Sequence, residues 1–265
     1  MKRQWAGRRV WLVGASAGIG AELAMVLAQA GAQVFISARR GDALALVAHG
    51  YSNITPILCD VSDVAHCERA ATEIGRRVGY VDTVIFNAGQ CEYIDVQAFD
   101  PALVRAITEV NFLGAVNIVA AALPLIRKAP RASLPCILGV SSLATRLPFT
   151  RAQAYGASKA ALDYFLDTLA VDLAEEGIRV IPVAPGFVET RLTAGNAFPM
   201  PMQISARVAA EAISEAFCRG HNRIAFPKGM AWGLNVLSIL PARWRIAIAR
   251  KLAGNVHTET DQVAS

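Results

Sequence analysis

Short apolar runs rich in β-branched residues alternate with longer stretches of helical periodicity along most of this chain, and that alternation leaves few folds open. Strands are predicted at residues 9–13, 33–37, 54–58, 83–86, 136–140, 179–183 and 223–226, and helices at 19–30, 42–48, 64–78, 101–128, 154–176 and 205–218. The strand runs are continuously apolar, as in Val10-Trp11-Leu12-Val13, so both faces of the sheet must be covered. Strands separated by helices need crossover connections, which gives a parallel sheet with helices on both sides. Local punctuation agrees: Gly31 and Gly177 follow predicted helices, Pro101 suits a first helical turn and Ser205 suits an N-cap. The expected fold is one doubly wound α/β domain with about seven parallel strands.

At 265 residues, 54% hydrophobic and 18% charged, the chain can build a large core and is not of disordered composition. No repeat, low-complexity stretch or linker divides it. We expect a catalytic domain over residues 1–227 and a C-terminal extension over 228–265, helical at first and then disordered. Residues 189–203, with Pro199 and Pro201, read as a loop. The formal charge of +5 is scattered without a run of five or six basic residues, which fits a solvated basic surface and no nucleic-acid partner.

The five cysteines (Cys59, Cys67, Cys91, Cys136 and Cys218) are odd in number and form no CxxC pair. That pattern fits a reducing, cytoplasmic compartment better than a disulfide framework or a zinc site. The basic start Met1-Lys2-Arg3-Gln4 is followed by too short an apolar run for a signal segment. His49, His66, His221 and His257 lie far apart, so no metal is expected.

Between the first strand and the first helix stands Val13-Gly14-Ala15-Ser16-Ala17-Gly18-Ile19-Gly20. Glycines there let the backbone turn sharply and approach a pyrophosphate, and the helix N-terminus supplies N–H donors and a positive dipole end. The spacing is GxxxGxG in a Rossmann-type setting. Glycines also end strands harmlessly, so position is what favours phosphate binding. The second strand ends Ala38-Arg39-Arg40, where a carboxylate would have received the ribose hydroxyls of NAD. A guanidinium there can clamp the 2′-phosphate of NADP; the other reading is two solvated arginines.

Ser142, Tyr155 and Lys159 form the sharpest pattern, in a strand end and the helix after it. Tyr155 and Lys159 are one turn apart on one helix face, so an ammonium can sit beside a phenol. Ketone reduction needs a proton donor for the oxygen, and a neighbouring cation is expected to lower a tyrosine pKa from about 10 toward the working range. Ser142 can hydrogen-bond the same carbonyl oxygen.

With these residues in place, the chain resembles the short-chain dehydrogenase/reductase family from about Arg9 to Phe226, and within it the steroid-dehydrogenase-like NADP users. Gly14, Gly18 and Gly20 match the family's cofactor turn, with Ser16 and Ile19 between them. Asp60 and Val61 match its adenine contact, and Asn87, Ala88 and Gly89 its Asn-Ala-Gly motif. Pro185 and Gly186, followed by Val188 and Thr190, match its nicotinamide loop. The resemblance implies a tetrad of Asn111, Ser142, Tyr155 and Lys159, with Asn111 holding a water and Lys159 also binding the nicotinamide ribose. It also implies NADP(H) in preference to NAD(H), with Arg39 as the discriminating residue and Arg40 beside it. Three positions depart from the pattern: Val13 replaces threonine, Phe86 replaces asparagine and Ala17 replaces a frequent basic residue.

The extension carries an apolar stretch, residues 229–240, too short to span a bilayer, and then Arg243, Trp244, Arg245, Ile246, Ile248, Arg250 and Lys251 interleaved. One reading is an interfacial amphipathic helix making peripheral membrane contact; the other is a helix pair packed on the domain beside the substrate cleft. In the second, Trp232, Leu234, Leu237 and Leu240 face the cleft and the basic side faces out. Either favours a bulky apolar carbonyl or alcohol as the small-molecule substrate, and an added tail favours a homodimer over a tetramer. The expected activity is NADP(H)-dependent interconversion of a ketone and a secondary alcohol. The alternatives are a 3-oxoacyl-thioester reductase and a non-catalytic nucleotide-sensing regulator.

Overall fold

Val10 and Leu12 of β1 (Arg9–Val13) enter one apolar cluster, and Trp11 and Val13 enter another on the opposite face. The computed structural model describes residues 2–193 and 200–253. β1 lies inside a sheet formed with β2 (Gln33–Ala38), β3 (Ile54–Leu58), β4 (Thr83–Phe86), β5 (Cys136–Val140) and β6 (Arg179–Pro185). A small parallel pair, β7 (Val188–Glu189) with β8 (Ile204–Ser205), stands outside this sheet, and β9 (Ile224–Phe226) completes it. The order is β3-β2-β1-β4-β5-β6-β9, and every pairing is parallel. Seven strands in a doubly wound arrangement were expected, and this is what the chain forms.

The first cluster takes Leu23 and Leu27 of α2 (Gly18–Gln29), Leu44 of α3 (Gly41–Ala48) and Ile213 and Phe217 of α8 (Ala206–Cys218). Trp5, in the short N-terminal helix α1 (Lys2–Trp5), stacks on Phe217 with ring centroids 4.1 Å apart. The second cluster takes Ile74 of α4 (Val64–Val78), Ile118 of α6 (Gly114–Ile126) and Leu162 and Leu166 of α7 (Gln153–Asp172). A Cβ at Gly139 of β5 would lie 2.4 Å from Leu166 Cδ1, so the missing side chain is what lets α7 lie close on the sheet. Trimming a buried Leu such as Leu166 to Ala costs about 2–5 kcal/mol in sites of this kind.

Two helices differ from expectation. Residues 101–126 do not form one regular helix: α5 (Pro101–Thr108) leads into a π turn at Glu109–Leu113 before α6 begins. The run is long and apolar enough to cross a membrane, yet Ile107, Ala115, Ile118, Ala122 and Ile126 are buried within the protein. α7 stops at Asp172, four residues before the expected end, and the chain leaves it through turns to Gly177, whose φ is 73°.

Two helices follow β9, α9 (Lys228–Ser238) and α10 (Ala242–Ala253). α9 packs through Ala231, Met230 and Leu234 onto Leu143 and Ala184, beside Ser142. The expectation that Trp232 turns toward the cleft fails, because Trp232 is 73% exposed. Small Ala231 makes the close contact, and the next residue, about 100° further round the helix, must face solvent. Arg245 is half-buried, so the basic side is not wholly outward. Residues 254–265, expected to be disordered, and Pro199 of the expected loop lie outside the described residues.

Candidate active site

Strand order reverses between β1 and β4, so their carboxyl ends open a crevice in which doubly wound sheets bind ligands. In register, Val13 pairs with Phe86, Phe86 with Gly139, and Val140 with Val183. Gly14, Asn87, Ser141 and the loop after β6 therefore emerge at one edge. A cavity of about 830 Å³ opens there. Its walls include all the expected cofactor residues except Gly20, which lies beneath the turn, and all four expected catalytic residues except Asn111.

The glycine turn is held from below. Gly14 adopts φ 85° and donates its N–H to Ser37 O at 2.7 Å, while Asn87 Nδ2 donates to Gly14 O at 2.8 Å. A Cβ at Gly14 would lie 2.4 Å from Ala88 N, and one at Gly20 would lie 2.2 Å from Gly14 O. The N-cap of α2 is Ala17, whose side chain caps nothing, so the helix brings its first N–H groups to the cavity with no side-chain acceptor. A pyrophosphate fits such a cradle: donors converge, the dipole is favourable and no side chain fills the space.

Further along the same wall, Ala38 ends β2 and Arg39 and Arg40 follow it, both arginines exposed and free of ion pairs among the described residues. Asp60 Oδ1 accepts from Ser62 N at 3.0 Å, which fixes the carboxylate at the turn after β3. Val61 is buried, and its carbonyl oxygen accepts from Asn117 Nδ2 at 2.9 Å. Across the cavity, Thr193 Oγ1 donates to Val188 O at 2.6 Å and accepts from Thr190 N at 3.1 Å, shaping the segment after β7.

At the far end stand Ser142, Tyr155 and Lys159. The Ser142 hydroxyl accepts from Ala144 N at 3.1 Å and lies near the Tyr155 phenol. Lys159 Nζ donates to Val140 O at 2.8 Å. Burial pushes the Tyr155 phenol up to about 12, and the nearby Ser142 only partly opposes this. The expected lowering by Lys159 is therefore not found in the protein alone. Burial also lowers the Lys159 ammonium to about 8, with Asp163 acting against it.

Asn111 lies in the π turn, fully buried. Its Oδ1 accepts from Gln90 N at 2.8 Å, and its Nδ2 donates to Gln90 O at 2.9 Å and to Ser158 Oγ at 3.0 Å. Ser158 Oγ in turn donates to Tyr155 O at 2.9 Å.

Several residues here were not singled out from sequence. Gln90 matters only through its backbone, which leaves no side-chain signal. Cys91, which the sequence offered as a simple loop cysteine ahead of a residue at the active-site mouth, lines the cavity near Lys159, and burial pushes its thiol up to about 11. Burial, then Cys91 and Tyr155, push the Tyr93 phenol up to about 12; the Arg151 guanidinium sits 5.9 Å from the Tyr93 ring centroid. Asp163 carried a signal, its position four residues after Lys159 on one helix face.

A model of the short chain dehydrogenase family matches residues 8–198. The chain is 34% identical over 250 residues to an uncharacterized oxidoreductase of Myxococcus xanthus, covering 92% of this chain and 97% of that one. It is 33% identical over 245 residues to an 11-beta-hydroxysteroid dehydrogenase-like protein of Arabidopsis thaliana, covering 88% and 77%. The crystal structure of a short chain dehydrogenase from Burkholderia cenocepacia in complex with NADP is similar with a TM-score of 0.79 and 26% identity, over 94% of this chain and 98% of that one. Sheet order, glycine turn and sequence relatives agree, and the chain belongs to the short chain dehydrogenase family of oxidoreductases.

Proposed function

We propose that this oxidoreductase interconverts a ketone and a secondary alcohol on a lipophilic substrate, with NADP(H) as cofactor and Tyr155 as the proton-transferring group. One observation carries the reading: Ser142, Tyr155 and Lys159 converge at the wall of the large cavity, with Tyr155 and Lys159 one turn apart on α7. The nicotinamide, when bound, supplies or accepts the hydride. Ser142 donates a hydrogen bond to the carbonyl oxygen and orients it. Tyr155, whose raised pKa keeps it protonated, gives its proton to that oxygen in the reductive direction. Lys159 stabilises the phenolate left behind and serves the nicotinamide ribose. Asn111 braces the helix through Ser158. Both its amide protons are engaged within the protein, so a water it holds must donate to one of its oxygens.

The cofactor contacts fall to Gly14, Ser16, Gly18 and Ile19 for the pyrophosphate, with Gly20 letting the turn close from beneath, Asp60 and Val61 for adenine, Asn87, Ala88 and Gly89 for the adjoining ribose, and Pro185, Gly186, Val188 and Thr190 for the nicotinamide. Arg39 and Arg40, neither in an ion pair among the described residues, take the 2′-phosphate; NADP in the Burkholderia relative supports this choice. The lipophilic substrate is supported by Leu192 in the cavity wall and by the apolar cluster of Leu143, Ala231, Met230 and Leu234 packed beside Ser142. A screen of ketosteroids, acyl thioesters and small ketones, followed by NADPH absorbance with Tyr155→Phe as control, tests the reading. Turnover confined to acyl thioesters would move the assignment to the thioester reductase; none with any carbonyl would move it to a regulator.

Three further parts belong to this proposal. The catalytic domain ends near residue 227 and residues 228–265 are an extension. The protein works in the cytoplasm as a homodimer: α7 leaves Tyr164 and Val171 over 70% exposed, opposite the face bearing Lys159, and sedimentation showing a monomer or tetramer would oppose it. The extension makes peripheral membrane contact. Between Lys228 and Ala253 it holds Lys228, Arg243, Arg245, Arg250 and Lys251 with no acidic residue, while Trp232, Val236, Ile239, Trp244 and Ile246 are exposed.

A further inference from the structure

Asp163 is a buried carboxylate that the proton transfer above does not use. Only 8% of it is exposed, and carboxylates rarely leave water without a partner or a task. It lies on α7 one turn beyond Lys159 and two beyond Tyr155, on the same face. Its Oδ2 accepts from the Thr145 hydroxyl at 3.0 Å, and that hydroxyl also lies 3.0 Å from the carbonyl oxygen of Ser142. One threonine thus joins the 3-10 turn Leu143–Thr145, which Ser142 caps, to the helix carrying Tyr155 and Lys159. Asp163 Oδ1 is buried with no hydrogen-bond partner among the described residues, and so is Nε of Arg146, the residue after Thr145.

Lys159 is 4% exposed, and among the described residues its ammonium donates only to a backbone carbonyl. The titratable and charged groups around it are Tyr155 and Asp163 on α7 and Cys91 on the loop after β4. Burial drives the ammonium down to about 8; Asp163 first and Cys91 second act the other way. The Cys91 thiol, pushed up to about 11, is uncharged near neutrality, which leaves Asp163 as the opposing charge.

We propose that Asp163 is a positioning residue of the active site, which clamps the serine-bearing turn to α7 through Thr145 and keeps the buried Lys159 cationic through its own charge. The catalytic consequence rests on the oxidoreductase reading, whereas both physical claims are tested on the cofactor-free protein. Lysines occur only at Lys2, Lys128, Lys159, Lys228 and Lys251, so ¹⁵N-lysine NMR resolves the titration of Lys159, assigned with Lys159→Arg. The neutral variants Asp163→Asn and Asp163→Ser should lower the Lys159 midpoint by about 1 unit or more, and Asp163→Glu should restore it. An unchanged midpoint in either folded neutral variant overturns the charge claim. Thr145→Val removes the clamp and keeps the carboxylate: amide hydrogen exchange at Ala144 should rise about tenfold with the Lys159 midpoint unmoved. Unchanged exchange overturns the clamp. Absence of any reductase activity would remove the proposed function and leave both measurements standing.

Discussion

The ammonium nitrogen of Lys159 donates to the carbonyl oxygen of Val140 at 2.8 Å, tying α7 to the last residue of β5. The same contact holds the charge deep in the protein, where burial favours the neutral amine. Lys159 thus carries its proton below about pH 8 and loses it above, where a free lysine would keep it to 10.5. Tyr155, at about 12, stays protonated throughout this window. Measured as kcat/KM, which reports the free enzyme, ketone reduction should fall above about pH 8. A profile flat to pH 10 would show that the lysine charge is not needed.

Tyr155→Phe should lower turnover by at least about 10²-fold, the lower end for a lost general acid, while cofactor affinity stays within a few-fold. Its hydroxyl faces Ser142, whereas most cofactor-lining groups lie along the other walls of the cavity. Stopped-flow turnover and fluorescence titration separate the two quantities. Near-normal turnover would remove Tyr155 from the mechanism.

Arg39→Ala should erase most of a preference for NADPH over NADH. A charge-assisted hydrogen bond contributes about 1.5–3 kcal/mol, or roughly ten- to 150-fold in affinity. Arg39 is exposed and solvent weakens its pull, so the lower half of that range is expected. Calorimetric titration of both cofactors decides the matter, and equal affinities in the unmutated protein would sink the assignment.

The C-terminal helices should bind vesicles containing anionic lipid and ignore neutral ones. Each basic residue near such a surface contributes about 1 kcal/mol, so binding should weaken steeply as salt is raised. Replacing Trp232 and Ile239 with serine should abolish co-flotation while leaving the melting temperature close to normal, because both are exposed. Failure to float with anionic vesicles would leave the extension as a packing element alone.

Strands and helices were legible where burial imposes a pattern that no other context imitates. β4 and β5 are apolar at nearly every position because helices cover both faces, and their limits were read to the residue. The Ser142, Tyr155 and Lys159 spacing was legible because it is local to one strand end and one helix. Asn111 could be picked out only by resemblance, and its bracing by Gln90 not at all, since that partner is a backbone group 21 residues away. Asp163 showed only its spacing from Lys159; its burial was hidden, because a polar residue on a helix reads as solvated until the turn carrying Thr145 folds over it. Trp232 misled because an apolar helix suggests an inward tryptophan, whereas small Ala231 makes the closer contact.

The π turn between α5 and α6 has a consequence for how this region tolerates change. Such a turn amounts to one residue inserted in an α-helix, and each residue advances a helix by about 100°. Upstream, Ile107 with Leu103 and Val104 packs on Ile94 and Ala154, next to Tyr155. Downstream, Ala115, Ile118 and Ala122 pack under the sheet. The bulge keeps the two halves of one rod out of phase, so that the first half can serve the mouth of the cavity while the second serves the core. A single-residue deletion there would make the helix more regular and still swing Ile107 off its neighbours, so the irregularity is the part that must be inherited intact.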